Sequence, residues 1–239
     1  MDNSKYVLET RDLSFAYPKS NHYLLNKVNL KIQRNQMTCI VGQIGGGKST
    51  LLKHLSGLIT PQMGDVYING ISVKENSKKS FHTEVGLLFE NPEDQLYYPI
   101  VADDIAFGPR NLKLNKKEIY RRVIQSSKEL NILHLMERET STLSFGEKTL
   151  VALAGMLAMN TKIILMDSPE IGLDFWSKPI LIRLLERLKL NHTIVMCTND
   201  TSLLKRADKI LLLWKGKIRE EFVDYREFRS SLSKKGQDK

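Results

Sequence analysis

Gly42-Gln43-Ile44-Gly45-Gly46-Gly47-Lys48-Ser49 decides the reading of this chain, because it fits the pattern G-x-x-x-x-G-K-[ST] at every fixed position. The context fits as well. An apolar strand, Thr38–Val41, runs into it, and the helical pattern Thr50–Ser56 follows. Glycines let the backbone curl so that successive N–H groups point at phosphate oxygens, and the helix adds its positive end. The loop therefore predicts a nucleotide site in which Gly42, Gly45, Gly46, Gly47, Lys48, Ser49 and Thr50 face phosphates. Lys48 reaches the β- and γ-phosphates of ATP, and the Ser49 hydroxyl holds Mg²⁺.

A second signal lies downstream. Asp167 ends the apolar run Lys162-Ile163-Ile164-Leu165-Met166-Asp167. Alone, such a residue caps a turn. Beside a phosphate loop it is the Walker B carboxylate, a second oxygen for Mg²⁺.

Outward from these two points, short apolar runs alternate with helical patterns. Val7–Leu13, Val28–Ile32, Met37–Val41, Val85–Phe89, Ile163–Asp167, Thr193–Thr198 and Lys209–Trp214 read as strands. Val66–Ile68 leads into Asn69-Gly70, a hairpin turn, and Lys215-Gly216-Lys217 turns into an edge strand near Ile218–Phe222. The stretch from Glu93 to Arg138 reads as an inserted helical subdomain, with Leu112-Lys113-Leu114-Asn115 capping a helix that starts at Lys116. From Ser230 onward the chain is polar and basic, and a frayed end is expected.

The chain has 239 residues, 41% hydrophobic and 26% charged, which excludes disorder as its main state. Two cysteines, Cys39 and Cys197, sit in strand-like runs, so no disulfide scaffold is expected. No apolar run reaches the roughly 18 residues of a membrane span, and Met1–Lys5 has no signal-peptide core. The balance of +9 suits an anionic partner or a solvated basic face. No aromatic–basic cluster for base stacking accompanies it, so no nucleic acid is expected. The five histidines, His22, His54, His82, His134 and His192, lack metal-ligand spacing and are expected in surface or loop roles. Trp176, Trp214, Met156 and Met159 are read as packing residues.

Leu143-Ser144-Phe145-Gly146-Glu147-Lys148, between the helical stretch and Asp167, resembles the signature motif of the ATP-binding cassette (ABC) family, usually written LSGGQ. The resemblance implies an α/β cassette fold: a phosphate-loop core, an antiparallel β part and an inserted helical subdomain. One cassette then spans 1–239, with core segments about 1–92 and 143–225, a helical subdomain about 93–142 and a basic tail about 226–239. It also implies an aromatic ring for adenine at Tyr17 and a D-loop at Gly172-Leu173-Asp174. Val85–Gln95, containing Asn91-Pro92-Glu93-Asp94-Gln95, together with Val101–Pro109, resembles the ATPase components of energy-coupling factor transporters, including those for cobalt and nickel.

That family imports vitamins or metal ions captured by a membrane S component. Its ATPases sit on the cytoplasmic face of the membrane, and the Asn91–Gln95 stretch would dock the transmembrane T component. Two ATPase subunits sandwich two ATP molecules. Ser144 and Gly146 would then face ATP held by the partner.

The chain departs from the family at four places. Ser168 stands where the catalytic Glu follows the Walker B Asp, and losing a general base lowers rate by roughly 10²–10⁴-fold. Asn199 replaces the switch His. Glu90 replaces the Q-loop Gln, keeping an oxygen for Mg²⁺ but adding negative charge. The signature carries Phe145 for Gly and Glu147 for Gln. A slow site of this kind favours a heterodimer with an intact second ATPase subunit. The alternatives are a catalytically silent nucleotide-binding regulatory subunit, a site rescued by Glu170, and a soluble cassette ATPase that acts on nucleic acid.

Overall fold

The computed structural model describes residues 6–18, 20, 22–76 and 81–237, with side chains described as far as Ser233. The leader reading of Met1–Lys5 and the tail residues Asp238 and Lys239 lie outside it.

Strands β1 (Tyr6–Phe15) and β2 (Leu25–Gln33) come first, then β3 (Met37–Gly42) and helix α1 (Lys48–Leu55). Next are β4 (Met63–Ile68), β5 (Ile71–Ser72) and β6 (Val85–Leu88). The helical stretch holds α2 (Val101–Asn111) and α3 (Lys116–Glu129), flanked by single 3₁₀ turns. After it come α4 (Phe145–Ala158), β7 (Ile163–Asp167), α5 (Ser177–Leu188), β8 (Thr193–Cys197) and α6 (Thr201–Leu204). The chain closes with β9 (Lys209–Trp214), β10 (Lys217–Phe222) and α7 (Tyr225–Gln237).

The strands form two sheets. One is antiparallel, in the order β2-β1-β4-β5. Asn69 and Gly70 both adopt positive φ, 48° and 78°, as the predicted tight hairpin between β4 and β5 requires. The other sheet runs β10-β9-β3-β8-β7-β6, parallel except for the antiparallel edge strand β10. Its central strands are buried on both faces, so their sequences are continuously apolar. On one face Met37, Cys39, Met166 and Met196 meet α4, α5 and α6. On the other Ile40, Leu165, Val195 and Cys197 meet α1 and the antiparallel sheet.

The helical insert packs on α4 through α2 and α3. Asn115 caps α3 by accepting the Glu118 N–H at 2.9 Å. Buried Asp104 on α2 accepts the N–H groups of Tyr97 and Tyr98 at 2.7 and 2.9 Å, which fixes the chain entering the helix.

Four expectations need correction. The tail is helical through Gln237, because Asp224 caps the turn and buried Phe228 packs edge-on against Phe222 at 5.4 Å. His54 is no surface residue. It is fully buried, edge-on to Phe15 at 4.7 Å, with Nδ1 bonded to the Thr50 carbonyl at 2.8 Å. Trp176 is 77% exposed and stands edge-on to equally bare Phe175. Met156 fills core as expected, but Met159 is only half-buried and walls a surface groove between β6, α2 and α4.

Burial pushes the His54 imidazole below its usual range, so it is neutral in the fold. Its unfolded pKa is then the higher one. Stability from this group is complete above about pH 6.5 and falls as the medium acidifies. Half-buried His192 shifts the same way and adds to the slope. Urea unfolding at about pH 7.5 and about pH 5.5 should therefore show acid destabilisation, and His54→Leu should reduce that difference without abolishing it.

Candidate functional site

The phosphate loop joins β3 to α1. Gly47 caps α1 with φ 93°, and a Cβ there would come within 3.0 Å of Leu25 and 3.3 Å of Leu24, so glycine alone fits. Lys48 folds back over the loop and donates to the carbonyls of Gly42 and Gln43 at 3.0 and 2.9 Å. A cleft of about 410 Å³ opens above it. Gly45, Gly46, Lys48, Ser49 and Thr50 line it from the loop side, and Glu90, Asp167, Ser168, Glu170 and Asn199 from the opposite side.

β8 is interposed between β3 and β7. It brings the turn after Cys197 between the loop and Asp167. Burial pushes the Asp167 carboxyl up; the Ser49 hydroxyl bonded to it and the Lys48 charge pull it down, while Glu90 pushes it up again. A hydroxyl and two carboxylates facing one another form a hard-oxygen set, and their mutual repulsion is what a divalent cation relieves. The set fits Mg²⁺, with Ser49 and Asp167 as holders and exposed Glu90 at the rim. Among the described residues no group of three His, Cys, Asp or Glu side chains is arranged to hold a metal. Nucleotide phosphates and water would supply the remaining ligands.

Tyr17 does not line this cleft. Its ring stands edge-on to Phe15 at 5.0 Å and its hydroxyl meets Thr50 Oγ1 at 3.2 Å, beside the first turn of α1. Sequence reasoning missed Leu24, Ile44, Ile171 and Thr198 as lining residues. For Ile44 the available signal was an apolar residue inside the glycine-rich loop, and the structure leaves it 98% exposed.

Ser144 and Gly146 stand apart from the loop, at the start of α4. Glu147 explains its own presence. Its carboxylate accepts the Ser144 N–H at 2.8 Å while Ser144 Oγ accepts the Glu147 N–H at 3.3 Å, a reciprocal cap. Phe145 lies on the backbone of Gly172, whose φ is 74°. It also shares with Ser49, Glu90 and Asp167 the lining of a second cleft beside the first. The start of α4 is thus packed onto the loop that follows β7. A Cβ at residue 172 would lie 2.2 Å from Phe145 Cδ1. Gly172→Ala should lower stability by about 1–3 kcal/mol in thermal melts. Phe145→Ala should recover part of that loss, leaving the strain of a positive φ.

A family model described as ABC transporter matches residues 25–170. The energy-coupling factor transporter ATP-binding protein EcfA of Methanococcus maripaludis is 39% identical over 235 residues, covering 94% of this chain and 84% of that protein. EcfA of Methanocaldococcus jannaschii is 38% identical over 220 residues, covering 90% and 78%. Among solved structures, cbiO1 from Clostridium perfringens, part of the ABC transporter complex cbiONQ, superposes with a TM-score of 0.80 at 28% identity. That match covers 95% of this chain and 92% of the other. The two-sheet core, the phosphate loop facing Asp167 and the helical insert agree with these likenesses: the chain belongs to the ABC transporter ATPase family.

Proposed function

We propose that this chain is the ATP-binding and ATP-hydrolysing subunit of an energy-coupling-factor importer, with slow turnover at its own site. The observation that carries the reading is the likeness to EcfA over 94% of the chain, joined to a cleft in which Lys48, Ser49 and Asp167 converge. The imported solute, a vitamin or a metal ion, is captured by another polypeptide. Among the described residues no helix is long and apolar enough to cross a membrane, so import needs membrane partners.

In this reading the loop N–H groups hold the phosphates and Lys48 exchanges its two carbonyl partners for phosphate oxygens. Ser49 and Asp167 would hold Mg²⁺, which would supply neutralisation of charge developing on the phosphates. Ser168 and Asn199 line the same cleft. Neither side chain takes a proton from water at neutral pH, so turnover is slow. A second, intact ATPase subunit would complete the sandwich, its signature over this loop and Ser144 and Gly146 over its ATP. A heterodimer on the cytoplasmic face of the membrane follows.

The transmembrane partner would dock at the groove of about 540 Å³ beside Asn91–Gln95, whose walls include Leu87, Tyr97, Phe107, Met156 and Met159. Tyr97 is 73% exposed. Two links run inward from there. Gln95 bridges the Leu87 carbonyl and the Phe89 N–H at 2.8 and 2.9 Å, and Glu93 pairs with Lys148 on α4.

The purified chain should bind Mg-ATP and release phosphate slowly. Ser168→Glu with Asn199→His should raise turnover by roughly 10²-fold, as expected for a restored general base. No gain in the presence of the partner subunit would favour the silent regulatory reading. Separately, Phe107→Asp should abolish co-purification with the membrane component while Mg-ATP affinity stays within about twofold, since it charges an apolar groove wall. Retained co-purification would move the docking site elsewhere.

A further inference from the structure

We infer that Glu170 is a positioning residue of the hydrolytic site: through Thr198 it sets the amide of Asn199 at the phosphate end of the cleft. The inference rests on the hydrolytic reading above and assigns it a residue outside the family's usual motif.

The loop after β7 is tightly held. Ser168, a non-glycine residue at φ 49°, donates its N–H to the Cys197 carbonyl at 2.9 Å. The Ile171 N–H closes a turn onto the Ser168 carbonyl at 3.1 Å. From this turn the Glu170 side chain crosses to β8. Its Oε1 accepts the Thr198 hydroxyl hydrogen at 2.6 Å, and Thr198 Oγ1 accepts the Asp200 N–H at 3.0 Å. Asp200 is fixed on its other side by an ion pair with Lys178 and by the Ser202 N–H at 2.8 Å. Asn199, exposed into the cleft, is therefore the free link between two anchored neighbours.

Strand alternation sets the direction in which Thr198 leaves β8. Asp167 meets Ser49 of α1, and Cys197 faces that same side. Thr198, one residue further, leaves on the opposite side. Glu170 meets it there, and its charge adds to burial in raising the pKa of Cys39 and of Cys197, one in each core. The carboxylate thus braces the turn through Thr198 while sharing the wall of the cleft with Asp167 and Ser168.

It does so at a cost. Glu170 Oε2 is buried with no hydrogen-bond partner. A neutral side chain could hold Thr198 without that penalty, and orphaned buried oxygens in native folds mark function or stored strain. The compensation lies in geometry. Asn199 offers two donors and one acceptor on a single amide, so its use to a γ-phosphate or a water depends on orientation within about 1 Å.

The experiment compares Glu170→Ala, Glu170→Gln and Thr198→Val, with kcat, KM and Mg-ATP affinity for each and thermal melts to confirm folding. Glu170→Ala and Thr198→Val should each lower kcat by about tenfold or more, leave affinity within about twofold, and fail to add in the double variant. Glu170→Gln keeps an oxygen acceptor for Thr198 and should rescue most of the rate. A Glu170→Gln loss equal to that of Glu170→Ala, with Thr198→Val near wild type, overturns the inference in favour of a charged base. Unchanged kcat in all three overturns it outright.

A second readout stands apart from turnover. The Asn199 side-chain amide resonance, assigned by its loss in Asn199→Asp, should shift on adding Mg-ATP in the wild type and Glu170→Gln but not in Glu170→Ala. If the wild type hydrolyses nothing, the hydrolytic reading fails, while this resonance still decides the role of Glu170. An unaltered shift in Glu170→Ala would sink it.

Discussion

Everything at the site depends on the register of three parallel strands. Met196 of β8 lies opposite Cys39 of β3 and also opposite Met166 of β7. With that row aligned, Cys197 stands between Ile40 and Asp167; β7 and β8 end there while β3 runs on to Gly42 and into the phosphate loop. A slip of one residue would turn Asp167 from α1 toward α5 and send Thr198 the other way. The register is secured because both faces are buried. Cys39, Met166 and Met196 fill one core while Ile40, Leu165 and Cys197 fill the other, so no strand can shift without exposing apolar side chains.

The alignment also explains which parts were legible in the sequence. The loop and the Asp167 strand were, since their chemistry is local: eight residues fix the phosphate grip, and a carboxylate ends an apolar run. The hairpin at Asn69-Gly70 and the cap at Asn115 were legible for the same reason. What pattern reading missed came from contacts distant in sequence. His54 looks polar in the sequence, yet the antiparallel sheet folds Phe15 over it. Lys and Arg near the end suggested a frayed tail, but Phe228 finds Phe222 on β10 and draws the segment into a helix.

The departures from the family pattern are not alike in physical terms. Glu147 for Gln changes little locally, because a carboxylate completes the reciprocal cap of α4. Phe145 for Gly is a larger change, since it places an aromatic ring on the Gly172 backbone and ties the start of α4 to the loop after β7 within one chain. Glu90 adds a negative charge facing Asp167, which makes the empty arrangement of carboxylates less favourable and the cation-filled one correspondingly more so. Ser168 puts a short hydroxyl side chain at φ 49° where the family pattern has a carboxylate.

The same contacts connect the groove to the cleft. Glu93 and Lys148 join the Asn91–Gln95 stretch to α4, and the first residue of α4 is Phe145, packed on Gly172. Gln95 joins that stretch to the end of β6, from which Phe89 and Glu90 enter the second cleft beside Asp167. A push at the groove therefore has two short routes to the nucleotide side, one along a helix and one along a strand end. Both pass through fixed partners, and packed elements transmit displacement because they have few ways to absorb it. The weakest points on both routes are surface ion pairs and single hydrogen bonds. Helix α4 is buried along most of its length, so it has little room to bend and a displacement at one end would be carried to the other.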